Sequence, residues 1–118
     1  MKLKVKSISN IGGVVKAPPS KSYSHRAVIL ASLAEGTSKL YDMLFSEDTL
    51  ASINVCRTLG AQITQTDDCL EVVGTGGKLH NSSDSPIDLA NSGTTLRLMT
   101  SVSGLSDNDV ILTGDDSL

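Results

Sequence analysis

The chain has 118 residues with 39% hydrophobic side chains, which fits one packed domain rather than a disordered segment. Its formal net charge of -3 and its 3% of aromatic residues provide neither a broad basic surface nor many platforms for base stacking, so we expect no nucleic-acid partner. The sequence contains neither the roughly 20-residue apolar stretch of a membrane span nor the apolar core of a signal peptide, and we expect a cytoplasmic protein without a membrane partner.

The first third of the chain predicts two strands and a helix. KLKVKSI alternates charged and apolar residues, and GGVVKAP follows a turn and ends at Pro18 and Pro19. The pattern becomes helical from Ser22 to Leu33, with Gly36 as a stop signal. The apolar stripe predicted for this helix consists of Tyr23, Ala27, Leu30, Ala31 and Ala34.

A strand, a second helix and a hairpin are predicted next. TSKLYDM has the composition of a strand, and SEDTLASINVCRTLG that of a helix, with Ser46 or Asp48 as its amino-terminal cap and Gly60 at its end. The segments AQITQT and CLEVVGTGG flank Asp67 and Asp68, as the strands of a hairpin would. The predicted order is therefore strand, helix, strand, helix, strand, strand, which is an α/β unit.

The last part of the chain predicts a further helix and strand. After the polar loop NSSDSPID, the segment LANSGTTLRLMTSV predicts a helix that opens at Asn91, Ser92 and Gly93, and DVILTGD predicts a strand. Because this pair has the pattern of a second unit that is only beginning, we expect the chain to be a fragment. A small, complete two-layer domain is the alternative.

The two cysteines do not indicate a metal site or a disulfide. Cys56 and Cys69 form no CxxC pattern, and only two histidines accompany them, too few ligands for structural zinc. A disulfide would need an oxidising, secretory context, for which the sequence has no signal. We expect two buried, reduced thiols.

The segment PPSKSYSHR concentrates hydroxyls and positive charge at the start of the first helix. If Ser22 opens the helix, it shares a face with Arg26, while Ser20 and Lys21 lie in the preceding loop beside unpaired N–H groups. The helix dipole, hydroxyls and two cations suit a phosphate or a carboxylate. The alternative is structural: serines that cap, a solvated lysine, and an Arg26 that pairs with a surface acid.

The segment NSGTTLR repeats this logic at the third helix. Gly93 lacks a side chain, so a ligand could approach the backbone closely, and Thr94 adds a hydroxyl. Arg97 follows four residues after Gly93. In the structural alternative, Gly93 is only a turn glycine and Arg97 pairs with Asp48 or another acid.

Four segments, PPSKSYSHRAVILASLAEGTS, SEDTLASINVCRTLGA, LANSGTTLRLM and VILTGDDSL, together resemble the amino-terminal part of the 5-enolpyruvylshikimate-3-phosphate (EPSP) synthase family, in a form like that of archaeal members. Members transfer the enolpyruvyl group of phosphoenolpyruvate to the 5-hydroxyl of shikimate 3-phosphate and release phosphate, a step of aromatic amino-acid biosynthesis. Both substrates are polyanions. The resemblance implies no cofactor and no metal.

The resemblance also implies roles for individual residues. Lys21 contacts phosphoenolpyruvate and is the catalytic candidate, whereas Ser22 and Arg26 hold shikimate 3-phosphate, chiefly by its carboxylate. The wall of the phosphoenolpyruvate pocket, where the herbicide glyphosate also binds, is formed by Gly93, Thr94 and Arg97. Leu98 stands where many bacterial members have proline, and a family arginine that follows TGDDSL is absent from these residues.

Two other readings compete with this one. The enolpyruvyl transferases of UDP-N-acetylglucosamine typically have Asn where this chain has Ser22 and use a loop cysteine, which disfavours them. A non-catalytic anion-binding domain of the same fold is the second. For Asp48 the sequence favours helix capping over a bond that holds Arg26 or Arg97.

The family fold places three strand-helix-strand-helix-strand-strand units in each of two domains, an inside-out barrel with helices inside and sheets outside. Residues 1–13 would be an amino-terminal strand or crossover segment, residues 14–87 the first unit, and residues 88–118 the truncated start of the second. The opposing domain of the same chain is then the expected partner, and we expect the fragment alone to be inactive.

Overall fold

A computed structural model describes residues 1–67, 69–81 and 85–118. Three helices and five short strands are present in these ranges, and none of the helices is long and apolar enough to cross a membrane. In chain order the elements are α1 (Lys21–Leu33), β1 (Thr37–Leu40), α2 (Glu47–Thr58), β2 (Gln62–Gln65), β3 (Leu70–Val73), β4 (Ile87–Asp88), α3 (Gly93–Ser103) and β5 (Leu112–Thr113).

The two strands predicted within residues 1–20 are not formed, so that prediction is wrong for this chain. The whole segment is exposed, and none of its backbone pairs with a described strand. A strand is stable only when a neighbour satisfies its backbone donors and acceptors, and the alternation of KLKVKSI supplies no such neighbour. From α1 to β3 the predicted order of elements is confirmed.

Helix α1 begins one residue earlier than predicted and buries a different face. Ser20 is its amino-terminal cap, so Lys21 lies in the first turn rather than in the preceding loop. Tyr23 and Leu30, both placed on the predicted apolar stripe, are 73% and 66% exposed. The buried face instead carries polar residues as well as apolar ones, namely Ser24, His25, Val28, Ile29, Ala31 and Ser32.

Hydrogen bonds explain why hydroxyls can occupy that face. The Ser24 hydroxyl accepts from the backbone N–H of Leu44 at 2.9 Å, and the Ser32 hydroxyl donates to the carbonyl of Val28 at 2.7 Å. A buried polar group costs little when it is paired in this way. Apolar periodicity alone therefore selected the wrong stripe.

Helix α2 is capped at both ends as its sequence suggests. Ser46 and Thr49 form a capping box, in which each side chain accepts from the other's backbone N–H. Ser46 is thus the cap, and Asp48 lies inside the first turn. Gly60, just past the helix, adopts a φ of +108°, a conformation that favours glycine.

The hairpin prediction is confirmed, and β3 is the central strand of its sheet. Both β1 and β2 pair with β3 in antiparallel register, so Thr37 and Gln62 lie on either side of Val73. The turn is closed by hydrogen bonds between Thr66 and Cys69, and the predicted turn residue Asp68 lies outside the described residues. The two helices α1 and α2 pack against this sheet and bury Val28, Ile53, Val55, Leu59, Leu70 and Val72.

Gly74 lets the chain pass very close to the end of α1. A Cβ atom at this position would collide with the carbonyl oxygens of Ala31 and Ala34. The Gly74 N–H donates to the carbonyl of Gly36 at 2.9 Å, which fixes the end of β3 against the loop after α1. Only glycine fits at this close contact between residue 74 and the end of α1.

The predicted third helix and last strand are also present. Ser92 caps α3, and its hydroxyl accepts from the backbone N–H of Thr95. Strands β4 and β5 form a short parallel pair on either side of α3 in the chain. Thr95 and Met99 are the buried residues of α3, and they attach it to the rest of the core.

Candidate anion-binding cleft

The first turns of all three helices meet at one open cleft of about 420 Å³. Lys21 comes from α1, Asp48 from α2, and the remaining lining residues from the start of α3: Asn91, Gly93, Thr94 and Arg97. Each helix start carries unpaired N–H groups and the positive end of a helix dipole. Three such ends and two cations make this cleft suited to a small anion.

Lys21 is held by an acidic neighbour in the cleft. Its Nζ atom lies 2.6 Å from Oδ2 of Asp48. The hydrogen bond from Lys21 lowers the pKa of the Asp48 carboxyl against the opposing effect of burial. Asp48 is therefore ionised at neutral pH. It neither caps α2 nor pairs with Arg26 or Arg97, so both roles predicted for it are wrong.

The α3 side of the cleft is open and carries the cation of Arg97. A Cβ atom added to Gly93 would meet no atom closer than Leu118 Cδ2 at 3.9 Å, so a ligand can approach the backbone here. Thr94 and Arg97 are exposed. Among the residues that the structure describes, Arg97 takes part in no ion pair, and the structural alternative for this arginine is therefore not supported.

Ser22 and Arg26 lie outside this cleft. Both are exposed on α1, and neither lines the cleft as Lys21 does. Arg26 instead borders a separate, apolar groove with Ile29, Leu30, Leu98 and Val102. The structure thus brings together Lys21, Gly93, Thr94 and Arg97 from two distant motifs.

The floor of the cleft contains a buried polar network that the sequence analysis missed. His25, Ser52, Ser92 and Thr95 are essentially inaccessible to solvent. Hydrogen bonds of 2.7, 2.8 and 2.7 Å link them in the order His25, Ser52, Thr95, Ser92. The available signal was the placement of hydroxyl residues where the helical pattern calls for apolar ones.

The cysteines have no part in this site. Cys56 is buried and Cys69 half-buried, so the expectation of two buried thiols holds only for Cys56. Burial raises the pKa of Cys56 to about 11. Cys69 is more accessible because it lies at the hairpin turn, where one side faces solvent.

The fold and the cleft together define an α/β domain in which three helix starts converge on a cleft suited to an anion. The sequence model of the EPSP synthase family, described as 3-phosphoshikimate 1-carboxyvinyltransferase, matches residues 5–118. The chain therefore belongs to the EPSP synthase family. This confirms the resemblance found in the sequence.

Relatives and solved structures agree with this assignment. The chain is 80% identical over 118 residues to the 3-phosphoshikimate 1-carboxyvinyltransferase of Methanobrevibacter smithii, and 56% identical to that of Methanothermobacter thermautotrophicus. It covers only 27% and 28% of those proteins. The EPSP synthase from Acinetobacter baumannii superposes with a TM-score of 0.81 at 32% identity, over 90% of this chain and 24% of that one. The predicted fold class is thereby confirmed.

Proposed function

We propose that this chain is part of a 3-phosphoshikimate 1-carboxyvinyltransferase, which transfers the enolpyruvyl group of phosphoenolpyruvate to the 5-hydroxyl of shikimate 3-phosphate and releases phosphate. The observation that carries the proposal is the cleft itself. It joins Lys21 of one motif to Gly93, Thr94 and Arg97 of the other at three helix starts. The names of the relatives support the substrates.

In this proposal Lys21 acts on phosphoenolpyruvate. Its ammonium group is half-exposed and already oriented by Asp48, so a substrate phosphate or carboxylate can take the place of that partner. Charge on phosphoenolpyruvate changes as the enolpyruvyl group is transferred, and a fixed cation stabilises that change. Lys21 is therefore the catalytic candidate among these residues.

The α3 side of the cleft forms the wall of the same pocket. The open backbone at Gly93 admits a ligand oxygen, and the Thr94 hydroxyl and Arg97 guanidinium supply further donors. Glyphosate, a small anion, would compete with phosphoenolpyruvate here. Leu98 borders the neighbouring groove rather than this cleft, so its direct effect on glyphosate should be small.

Ser22 and Arg26 serve the second substrate. They lie four residues apart, exposed on the helix whose first residue, Lys21, lines the cleft, and a guanidinium can bind a planar carboxylate with two parallel hydrogen bonds. We assign them to the carboxylate of shikimate 3-phosphate. The two substrates would then bind on adjoining sides of one helix start.

The rest of the active site is assigned to the remaining three quarters of a chain of the relatives' length. We propose the division into residues 1–13, 14–87 and 88–118 described above, with an opposing domain that covers the open side of the cleft. We use "full-length protein" below for such a chain that carries these 118 residues. Positioning and charge stabilisation need both sides of a site, so the 118 residues alone should be inactive.

The test is turnover by the full-length protein. Phosphorus NMR of a reaction with phosphoenolpyruvate and shikimate 3-phosphate should show free phosphate and the enolpyruvyl product in equal amounts. The 118-residue chain serves as the matched control and should show neither. Turnover with UDP-N-acetylglucosamine but not with shikimate 3-phosphate would contradict the proposal, and binding of both substrates without turnover would indicate an anion-binding domain.

A further inference from the structure

A buried histidine beneath the cleft has no role in the proposed reaction. His25 on α1 is fully buried, and its Nδ1 atom lies 2.7 Å from Oγ of Ser52 on α2. Its Nε2 atom has no hydrogen-bond partner among the residues described. Burial lowers the pKa of His25, so the imidazole is neutral at neutral pH. A buried imidazole with one unpartnered nitrogen calls for an explanation, because buried polar groups are normally satisfied.

Three hydroxyls continue from His25 toward the cleft. The Ser52 hydroxyl lies 2.8 Å from that of Thr95, which lies 2.7 Å from that of Ser92. The Thr95 hydroxyl also donates to the backbone carbonyl of Asp48 at 3.3 Å. A continuous series of hydrogen bonds therefore joins all three helices and ends on the backbone of Asp48, a residue of the cleft.

A backbone carbonyl determines the direction of these hydrogen bonds. The Asp48 carbonyl can only accept, so the Thr95 hydroxyl donates its single proton to it. Thr95 must then accept from both Ser52 and Ser92. Since the Ser52 hydroxyl has now used its proton, Nδ1 of His25 is the donor to Ser52. Nε2 then carries no proton, so the atom without a hydrogen-bond partner is an acceptor and not an N–H donor.

We propose that His25 is a positioning residue, whose Nδ1–H begins a one-way series of hydrogen bonds that holds the first turn of α3 against Asp48 in the cleft. The inference rests on the proposed function, because the groups held in place are those assigned to phosphoenolpyruvate. Thr95 is the central link, since its hydroxyl contacts hydroxyls on both sides and its neighbour Thr94 lines the cleft. Without this link, Gly93 loses its fixed position relative to α1 and α2.

The first test does not depend on activity. Long-range proton–nitrogen NMR spectra of the ¹⁵N-labelled full-length protein at neutral pH, with His25 assigned through its backbone, report which ring nitrogen carries the proton. We expect the proton on Nδ1. A proton on Nε2 would make Ser52 the donor to His25 and overturn the inference, whether or not the protein catalyses the proposed reaction.

The second test separates positioning from stability. Thr95→Val removes the central hydroxyl at nearly constant shape, and Thr95→Ser restores it. Ser32→Ala is the matched control, because the Ser32 hydroxyl is also buried but donates within its own helix α1, to the Val28 carbonyl. All three are compared at a temperature where melting curves show them folded.

We expect Thr95→Val to lower kcat/KM for phosphoenolpyruvate about tenfold or more, since small displacements of positioned groups are costly. Thr95→Ser should recover most of the loss, and Ser32→Ala should keep wild-type kinetics even if it melts earlier. Equal kinetics for Thr95→Val and Ser32→Ala would overturn the inference. A wild-type protein without turnover would instead refute the proposed function and leave the NMR test to decide the role of His25.

Discussion

Lys21 and Asp48 face each other across the first turns of two helices, with 2.6 Å between Nζ and Oδ2. Each group is also placed where the positive end of a helix dipole lies, which favours the carboxylate and disfavours the ammonium. Asp48 therefore compensates a cation in a position that would otherwise repel it. In the proposed function, the anion of the incoming substrate takes over this role.

Replacing this carboxylate should destabilise the full-length protein in a pH-dependent way. We expect Asp48→Asn to cost about 1 kcal/mol at neutral pH, from the loss of the ion pair and of the dipole interaction. Because the folded-state pKa of Asp48 lies below its unfolded value, this stabilisation is complete above about pH 4 and is lost as pH falls through the folded pKa. The difference in melting temperature between the two proteins should therefore stay constant from neutral pH to about pH 4 and shrink as the pH is lowered further.

Asp42→Asn is the matched control for that series. Asp42 pairs with Lys16 at 2.8 Å, but both side chains are more than two-thirds exposed. Such surface pairs contribute little, so Asp42→Asn should melt close to wild type at neutral pH. A difference between Asp48→Asn and wild type that stays constant down to about pH 3 would argue against the ion pair as its source.

The two cations of the first motif should differ in kinetics. Lys21→Ala should lower kcat as well as the affinity for phosphoenolpyruvate, since the charge acts on the reacting substrate. Arg26→Ala should mainly weaken shikimate 3-phosphate binding, by about 2 to 5 kcal/mol if the charge pair is desolvated. Steady-state rates with each substrate varied in turn will separate the two effects.

Lys39→Ala provides the control for charge alone. Lys39 lies on β1 and pairs with Glu71 at 3.6 Å, away from the cleft, so its removal should leave both substrate dependences unchanged. If Arg26→Ala also left the shikimate 3-phosphate dependence unchanged, the assignment of that side of α1 would have to be abandoned.

Gly74 should not tolerate even a methyl group. Gly74→Ala places a Cβ atom against two carbonyl oxygens at the end of α1, so residue 74 and the end of α1 must move apart. Overpacking of this kind costs about 1 to 3 kcal/mol, and we expect a clearly lower melting temperature. Gly12→Ala, at a position with no atom within 4 Å, should melt like wild type. Equal melting temperatures of wild type, Gly74→Ala and Gly12→Ala would show that Gly74 does not pack tightly against the end of α1.

The two cysteines should react at very different rates. The thiolate is the reactive form of cysteine. Cys56 is buried, and burial raises its pKa to about 11, so iodoacetamide should not label it at pH 8 in the folded protein. Cys69 is half-buried and should be labelled first. Arg57 separates the two on tryptic peptides, so mass spectrometry can score them individually. Labelling of Cys56 before Cys69 would contradict the burial of α2.

The structural features that were correctly predicted from the sequence are those that depend on neighbouring residues along the chain. Local cap chemistry at Ser46 and Gly60 set the bounds of α2, and the pattern around residues 62–73 gave the hairpin, because these signals need no distant partner. The cleft could be anticipated for a related reason. Lys21 and Arg97 belong to two motifs, and each motif marks a helix start, the local feature that binds anions.

What could not be predicted depends on partners distant in sequence. Asp48 was assigned to its own helix or to an arginine, whereas its partner is a lysine 27 residues away. The strands expected before Pro18 lack a described neighbour, although their alternation is correct for a strand. The hydrogen bonds of His25 could not be predicted, because its partner Ser52 and the next link, Thr95, belong to two other helices.

The central position of β3 has a consequence for synthesis on the ribosome. Strands β1 and β2 are both made before β3, and neither pairs with the other. Until Val73 has left the ribosomal tunnel, the backbone N–H and C=O groups of β1 and β2 have no partner strand. The faces of α1 and α2 that are buried in the folded protein also have no sheet to cover them. The nascent chain is thus prone to aggregation or chaperone binding until one four-residue strand, Leu70–Val73, is synthesised and pairs with both neighbours to complete the three-stranded sheet.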